Sequence, residues 1–194
     1  MPDAEDLNAP LYRRIVGPCY AQLPEVTRAL HDVRTRVVAT GHATVTHGDN
    51  PVARALAWAL GFPAPVSGAP ITVTVTVRGG VENLSRHYPD ATLTTEQRAG
   101  TGVDAGRLIE RMGPAVMVLA LEPHDEGLDF TLERVRVFGV TLPRWMRPRV
   151  TARERAVDGR HGFYVCVALP GLGRLIRYEG LLAVERESQD GASG

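Results

Sequence analysis

Three side chains with acid–base or hydrogen-bonding chemistry interrupt otherwise apolar alternating patterns: Arg86, Glu110 and Tyr178. Alternate residues of a β-strand point to the same face, so each polar group would share its face with aliphatic or aromatic neighbours. A guanidinium or carboxylate on a buried face must be paired, because an unpaired buried charge is costly. The pattern therefore indicates either a structural Arg86–Glu110 ion pair or the polar part of a ligand cavity.

In a ligand cavity, these residues would divide the chemistry between them. Arg86 would hold an acidic or carbonyl group, Glu110 would act as acceptor or base, and Tyr178 would donate. Tyr88 shares the predicted face of Arg86, and Thr94 would add a hydroxyl if its strand faces inward. We predict Glu110 and Tyr178 as the catalytic residues of an enzyme. The predicted ligand-binding residues in these strands are Arg86, Tyr88 and Thr94.

A further predicted ligand-binding residue, Trp145, lies in the segment 141–149 with one methionine and three arginines. Residues 133–160 contain eight arginines against three carboxylates, whereas the chain ends are acidic. One interpretation is that the Trp and Met side chains plug one end of the fold while the arginines stay in water. The other is a lid over an entrance, or a patch that contacts an anionic ligand or a membrane surface.

Composition and motifs exclude several classes of function. The 22 basic residues, all arginine, balance 22 acidic ones, and zero net charge argues against nucleic-acid binding. The chain therefore has no P-loop or Schiff-base lysine, and Gly171-Leu172-Gly173 lacks the third glycine of a dinucleotide fingerprint. His42 and His47 would point to opposite faces of one strand and cannot share a metal. We expect no cofactor and no metal site.

The chain ends and hydropathy indicate a cytoplasmic protein. No run approaches the roughly 18 apolar residues of a membrane span. The sequence begins with acidic residues, where a signal peptide would be basic. We predict an acidic disordered tail over 1–9, one domain over 10–187, and a second disordered tail over 188–194.

Most of the chain alternates with period two, and short glycine- or proline-containing turns separate the alternating segments. In 128–138, the aliphatic residues change phase, which indicates a β-bulge. Helical spacing is limited to 10–32, interrupted by prolines, and to 51–61, where Asn50 is a suitable N-cap. The predicted strands are 36–47, 71–78, 81–88, 91–98, 105–112, 115–122, 128–138, 149–157, 160–169 and 174–185.

These elements predict a mainly β protein. About ten consecutive antiparallel strands would leave long open edges unless the sheet closes. We predict an up-and-down barrel or strongly curved sheet, lipocalin-like in outline, with N-terminal helices and a helix after the first strand. The alternative is a flat sheet with helices on one face. A barrel of this size has room for side chains or one small ligand.

Several short segments, taken in order, resemble the bacterial family called domain of unknown function 4166. They are 11–17 (LYRRIVG), 29–32 (ALHD), 61–63 (GFP), 108–114 (LIERMGP), 139–145 (GVTLPRW), 148–150 (PRV), 158–160 (DGR) and 177–180 (RYEG). The resemblance covers roughly residues 10–185. It implies a domain that stands alone or is attached to Rossmann-type, saccharopine-dehydrogenase-like proteins or membrane proteins, and a Rossmann-type protein as partner. It implies no established activity.

The sequence thus leaves three functions open. The first is binding of a small, largely apolar molecule, with one acidic or carbonyl group, inside the barrel. The second is a cofactor-independent isomerase, cyclase or dehydratase of small-molecule or natural-product metabolism, using an acid/base pair in the barrel. The third is a protein-interaction module.

Overall fold

The computed structural model describes residues 9–185 of the chain. Apart from residue 9, the tails predicted over 1–9 and 188–194 lie outside these residues. The helices are α1 (Leu11–Val16), α2 (Glu25–His31) and α3 (Pro51–Ala59), with 3-10 segments at Gly17–Gln22 and Gly102–Asp104. The strands are β1 (Arg36–His47), β2 (Val66–Arg78), β3 (Val81–His87), β4 (Thr92–Ala99), β5 (Leu108–Met112), β6 (Ala115–His124), β7 (Gly127–Val137), β8 (Val140–Thr141), β9 (Arg149–Val157), β10 (Arg160–Leu169) and β11 (Gly173–Glu185).

The sheet closes on itself. Each strand from β1 to β7 pairs antiparallel with the next, β9 follows β7, and β11 returns to β1. Within the described residues this forms a barrel of ten antiparallel strands, while the short β8 pairs with the end of β7. The predicted barrel, with N-terminal helices and a helix after the first strand, is confirmed. The alternative of a flat sheet is wrong, because pairs such as Val45↔Tyr178 join its two sides.

Alternation along each strand explains the closure. In β2, Ile71, Val73 and Val75 are buried inside the barrel, and the threonines between them point outward. The turn to β3 is the pair Gly79-Gly80, at φ +58° and +78°, a conformation that favours glycine. Buried aliphatic residues and tight turns of this kind hold consecutive strands in register around the barrel.

A β-bulge in β7 confirms the phase change predicted from the sequence. Val118 of β6 pairs with Arg134, whereas the next residue, Leu119, pairs with Leu132. Glu133 is therefore an extra residue in β7. Before it, Leu132 points inward, and after it Val135 takes the inward position.

Residues 11–31 cover one end of the barrel, which we call the closed end. α1 contacts β4 and β6, and α2 contacts β9, β10 and β1. Both helices follow a proline, and neither has a side-chain cap. Isolated helices this short are marginal in water. Burial of Leu11, Tyr12 and Leu30 therefore holds this segment in place.

The opposite end, which we call the open end, carries α3 and the connection 138–148. The Asn50 side chain accepts hydrogen bonds from the backbone N–H groups of Val52 and Ala53, which fixes the start of α3. None of the helices within residues 9–185 is long and apolar enough to cross a bilayer.

Candidate functional site

A cavity of about 420 Å³ occupies the barrel interior. This volume lies in the range of small-molecule pockets, roughly 300–1,000 Å³. Its walls are largely aliphatic, from residues such as Ile71, Val73, Leu93, Val165 and Leu182.

The cavity runs between the two ends of the barrel. At the closed end it is lined by Tyr12 and His161, which are only 2% and 1% exposed. At the open end it is lined by Leu60 and Met146, which are 45% and 44% exposed. The cavity therefore reaches the surface at the open end and stops beneath the N-terminal helices.

A chain of polar groups follows one side of the cavity wall. The nearest oxygen of Glu110 lies 3.9 Å from Nη2 of Arg86. Gln97, which pairs with Glu110 across β4 and β5, donates to the same oxygen at 3.2 Å. The hydroxyl of Tyr12 donates to Oε1 of Gln97 at 3.1 Å, which links the wall to α1. Glu110 is therefore held by an amide and a guanidinium, as a buried carboxylate requires.

A second polar cluster lies at the closed end. Nε2 of His31, on α2, is 2.7 Å from Oε2 of Glu154 on β9. The other oxygen of Glu154 lies 3.8 Å from Nε2 of His161 on β10. The Tyr12 ring stacks on the His31 imidazole with ring centroids 3.7 Å apart. We call His31, Glu154 and His161 the histidine–glutamate cluster.

The members of this cluster shift one another's protonation. Burial alone would lower the pKa of His31, but the charge of Glu154 and the hydrogen bond to it raise the pKa above its usual 6.5. Burial would raise the pKa of Glu154, but the two histidines hold it below its usual 4.5. Burial lowers the pKa of His161, and Glu154 only partly offsets this. The cluster thus favours an imidazolium–carboxylate pair beside a neutral imidazole.

Other buried polar groups also face the cavity. Among residues 9–185, neither Thr95 Oγ1 nor His161 Nδ1 has a hydrogen-bond partner within the protein. Both residues line the cavity. Glu82 lines it too, where its carboxylate accepts from the backbone N–H of Leu11 at 3.3 Å and burial raises its pKa. Unpartnered buried groups need an explanation, and a bound polar atom would supply one for Thr95 and His161.

The structure brings together three of the predicted site residues. Arg86, Glu110 and Tyr178 all line the cavity. Tyr178 is close enough for their charges to act on it, and burial raises the pKa of its hydroxyl, which keeps it protonated. Tyr88 is buried with its hydroxyl near this group, but it is not part of the cavity wall.

Thr94 and Trp145 both lie outside the cavity wall, and the position of Thr94 corrects the expectation of an inward hydroxyl. In β4, the inward residues are Leu93, Thr95 and Gln97, so alternation puts Thr94 on the outer face, where it hydrogen-bonds to Ser85. Thr95 is the threonine in the cavity. Trp145 is 75% exposed at the open end and lies outside the cavity wall.

Sequence reasoning missed the histidine–glutamate cluster. His31 and Glu154 are 123 positions apart, so neither residue has the other among its neighbours along the chain. Strand alternation nevertheless carried a signal for two of the members. His161 has the same parity as the inward Phe163, and Glu154 has that of Ala152 and Val150, which also line the cavity. No comparable signal placed His31, because its helix docks on the barrel only in the folded chain.

One known family matches the chain. The family model named Domain of unknown function (DUF4166) matches residues 23–182. The chain belongs to the DUF4166 family. The matched range includes Arg86, Glu110 and the whole histidine–glutamate cluster, whereas Tyr12 precedes it. No curated protein matches the chain. Within the described part of the chain, no three His, Cys, Asp or Glu side chains form a group that could hold a metal ion.

Breaking the Arg86–Glu110 pair on one side should destabilise the fold. Glu110→Gln leaves the Arg86 guanidinium buried without a counter-charge, so we expect the free energy of unfolding to fall by about 3 kcal/mol. The double variant Arg86→Met/Glu110→Leu should lose less, because neither charge remains. Urea unfolding of both variants measures the difference.

The same two strands offer a matched control. Arg111 and Glu96 form a pair at 4.0 Å on the outer face of β5 and β4, with both side chains more than half exposed. Glu96→Gln should cost about 1 kcal/mol or less. Equal losses from Glu110→Gln and Glu96→Gln would show that the inner pair is not a buried ion pair.

The His31–Glu154 pair should make stability depend on pH. A histidine with a raised pKa stabilises the fold below its usual 6.5, and that contribution is lost as pH rises through the raised value. A carboxylate with a lowered pKa stabilises above its usual 4.5, and that contribution is lost as pH falls through the lowered value. The pair should therefore contribute most between these two usual values, by about 2 kcal/mol for a charged hydrogen bond.

Urea unfolding of the wild type and His31→Gln across this pH range tests the expectation. The difference between the two proteins should peak in mildly acidic solution and shrink as pH rises. His161, whose pKa is lowered, contributes in the opposite direction in the wild type, and the charge of His31 is part of what lowers it. His42→Gln, at an exposed position of β1, is the control. Parallel pH curves for wild type and His31→Gln would contradict the assignment.

Proposed function

We propose that this protein binds a small, largely apolar molecule inside its barrel. The observation that carries the proposal is the 420 Å³ cavity, whose aliphatic walls open at one end and whose polar groups gather at the other. Such a cavity suits a ligand that buries an apolar body and presents a few polar atoms.

The polar groups of the wall suggest how the ligand is oriented. Thr95 and His161 each present a buried polar atom without a partner in residues 9–185, so they favour a hydroxyl or carbonyl group on the ligand. Arg86 is 3.9 Å from Glu110, longer than a good hydrogen bond, and retains capacity for a ligand oxygen. We therefore place the polar group of the ligand inward and its apolar body toward the open end.

Arg86 remains a proposed ligand-binding residue, with Tyr88 behind it in the protein interior. Thr95 takes the role that the sequence suggested for Thr94. Trp145 stands outside the cavity, beside its entrance, so any contact with a ligand would occur during entry.

Neighbouring residues of β4 provide a test of cavity binding. Leu93 lines the cavity and Thr94 faces outward. The uncharged fluorescent probe N-phenyl-1-naphthylamine should bind the wild type saturably, at one site per chain. Leu93→Trp fills the cavity and should weaken binding by about tenfold or more, whereas Thr94→Trp should leave it unchanged. Fluorescence titration measures both, with circular dichroism to confirm folding.

Val167→Phe, on the opposite wall, repeats the test should Leu93→Trp fold poorly. Absence of saturable probe binding by the wild type would contradict the proposal that the barrel binds an apolar molecule. Equal binding by the inward and outward variants would move the probe site elsewhere on the protein.

A second candidate function is favoured by the ionisable groups in the cavity: a cofactor-independent enzyme of the isomerase, cyclase or dehydratase type. Carboxyl groups in one cavity have opposite surroundings, because burial raises the pKa of Glu82 while the two histidines lower that of Glu154. Divergent pKa values of this kind are typical of acid–base sites. Glu110 remains the proposed base and Tyr178 the proposed donor, with the neutral His161 as a further base.

Deuterium exchange tests the proton transfer that these reactions share. The protein is incubated in heavy water with a panel of small cyclic ketones, and exchange at the carbon next to the carbonyl is followed by NMR. If the protein is such an enzyme, at least one ketone should exchange faster with wild type than with buffer. Glu110→Gln and Tyr178→Phe should each slow that exchange by about 100-fold. Undiminished exchange in both variants would reject Glu110 and Tyr178 as catalytic residues.

A further inference from the structure

Large apolar side chains are exposed around the open end of the barrel. On α3 these are Trp58 (82% exposed) and Leu60 (45%). On the connection 138–148, Phe138 is 83% exposed and Trp145 is 75% exposed. We call these four side chains the rim. Single exposed apolar residues are ordinary, but large ones gathered around a cavity entrance indicate an interaction surface.

The charge beside the rim is positive. Residues 136–149 contain four arginines and no carboxylate. Arg136, Arg144 and Arg149 are exposed, while Arg147 is half-buried and donates to the Glu133 carbonyl, which anchors the connection to β7. A groove of about 390 Å³ beside Trp145 is lined by Arg144, Arg147 and Arg149. Guanidinium groups bind phosphate oxygens well because their donors match the geometry of the anion.

We infer that the open end of the barrel docks on a bilayer that contains anionic phospholipids. The rim side chains enter the interfacial layer, where tryptophan is favoured. The arginines of 136–149 meet the lipid phosphates, each adding attraction near a negative surface. Exposed apolar and cationic groups on one surface favour a bilayer over a soluble acidic protein as the partner. A bilayer offers an apolar layer to the rim and a layer of phosphates to the arginines, across the whole end of the barrel.

Docking in this orientation presents the cavity entrance to the bilayer. Leu60 belongs to the rim and also lines the cavity. Met146, the neighbour of Trp145 in the chain, lines the cavity as well. An apolar molecule would then pass between membrane and cavity without crossing water, which would be costly for it. The inference goes beyond ligand binding and does not depend on it, because docking is measurable with no ligand added.

The chain carries its own reporters for this surface. It has two tryptophans, Trp58 and Trp145, and both belong to the rim. Tryptophan emission should therefore shift to shorter wavelength when vesicles of equal parts phosphatidylglycerol and phosphatidylcholine are added. Pure phosphatidylcholine vesicles should give little shift. The variants Trp58→Phe and Trp145→Phe, each with one remaining reporter, should both retain the shift.

Matched variants at the two ends of the barrel locate the contact. Arg144→Glu/Arg149→Glu should weaken vesicle binding by about tenfold or more, since two attractive charges become repulsive. Arg78→Glu/Arg160→Glu makes the same charge change at exposed positions of the closed end and should have little effect. Phe138→Ser should weaken binding, while Val103→Ser, at a 92% exposed position near the closed end, should not.

Several results would overturn the inference. Unchanged tryptophan emission with anionic vesicles would exclude docking, and equal shifts with both vesicle types would exclude the role of anionic lipid. Equal losses at the two ends would show that the contact is not at the rim. Sedimentation without vesicles provides the remaining test: a dimer that buries both tryptophans would assign the rim to self-association instead. Probe binding in the cavity is unaffected by any of these outcomes, so the two proposals fail separately.

Discussion

The hydrogen bond between His31 and Glu154 joins the N-terminal helices to the barrel wall, and the closed end depends on it. Glu154 is a buried carboxylate that no neighbour on its own strand neutralises through a described contact; its closest cationic partner comes from α2. Tyr12 stacks on the same imidazole and extends a hydrogen bond to Gln97, so α1 is fixed through α2 as well as directly. Without this link, α1 would still be tied to the wall by Leu11 and Tyr12, but α2 would lose the hydrogen bond of His31 to β9.

This arrangement gives the cavity a gradient of polarity along its length. Ionisable side chains gather beneath the helices, aliphatic residues form the middle, and aromatic side chains surround the entrance. The gradient follows from chain topology: the closed end receives polar groups from helices and strands together, whereas the entrance is built by α3 and the connection 138–148. Orientation of the proposed ligand would therefore be a property of the fold as much as of any single residue.

Local patterns in the sequence predicted most of the fold, because alternation and turn residues act over a few positions. All ten predicted strands are present, and the bulge in β7 was visible as a change of phase. The error at Thr94 arose where threonines occupy adjacent positions and only the alternation set by Leu93 separates the faces. The histidine–glutamate cluster required the docking of a helix on distant strands, which no local pattern encodes. The strand β8 has only two residues, which is too short for alternation to predict it.

The extra residue in β7 sets which side chains of that strand enter the barrel. Phe130 and Leu132 point inward before Glu133, and Val135 and Val137 do so after it. Regular pairing through Glu133, without the bulge, would instead bring Arg134 and Arg136 into the cavity and expose the two valines. The bulge therefore keeps two guanidinium groups out of an apolar wall, where each would need a partner. A deletion of Glu133 would preserve the same faces, because Leu132, Arg134 and Val135 would then alternate inward, outward and inward.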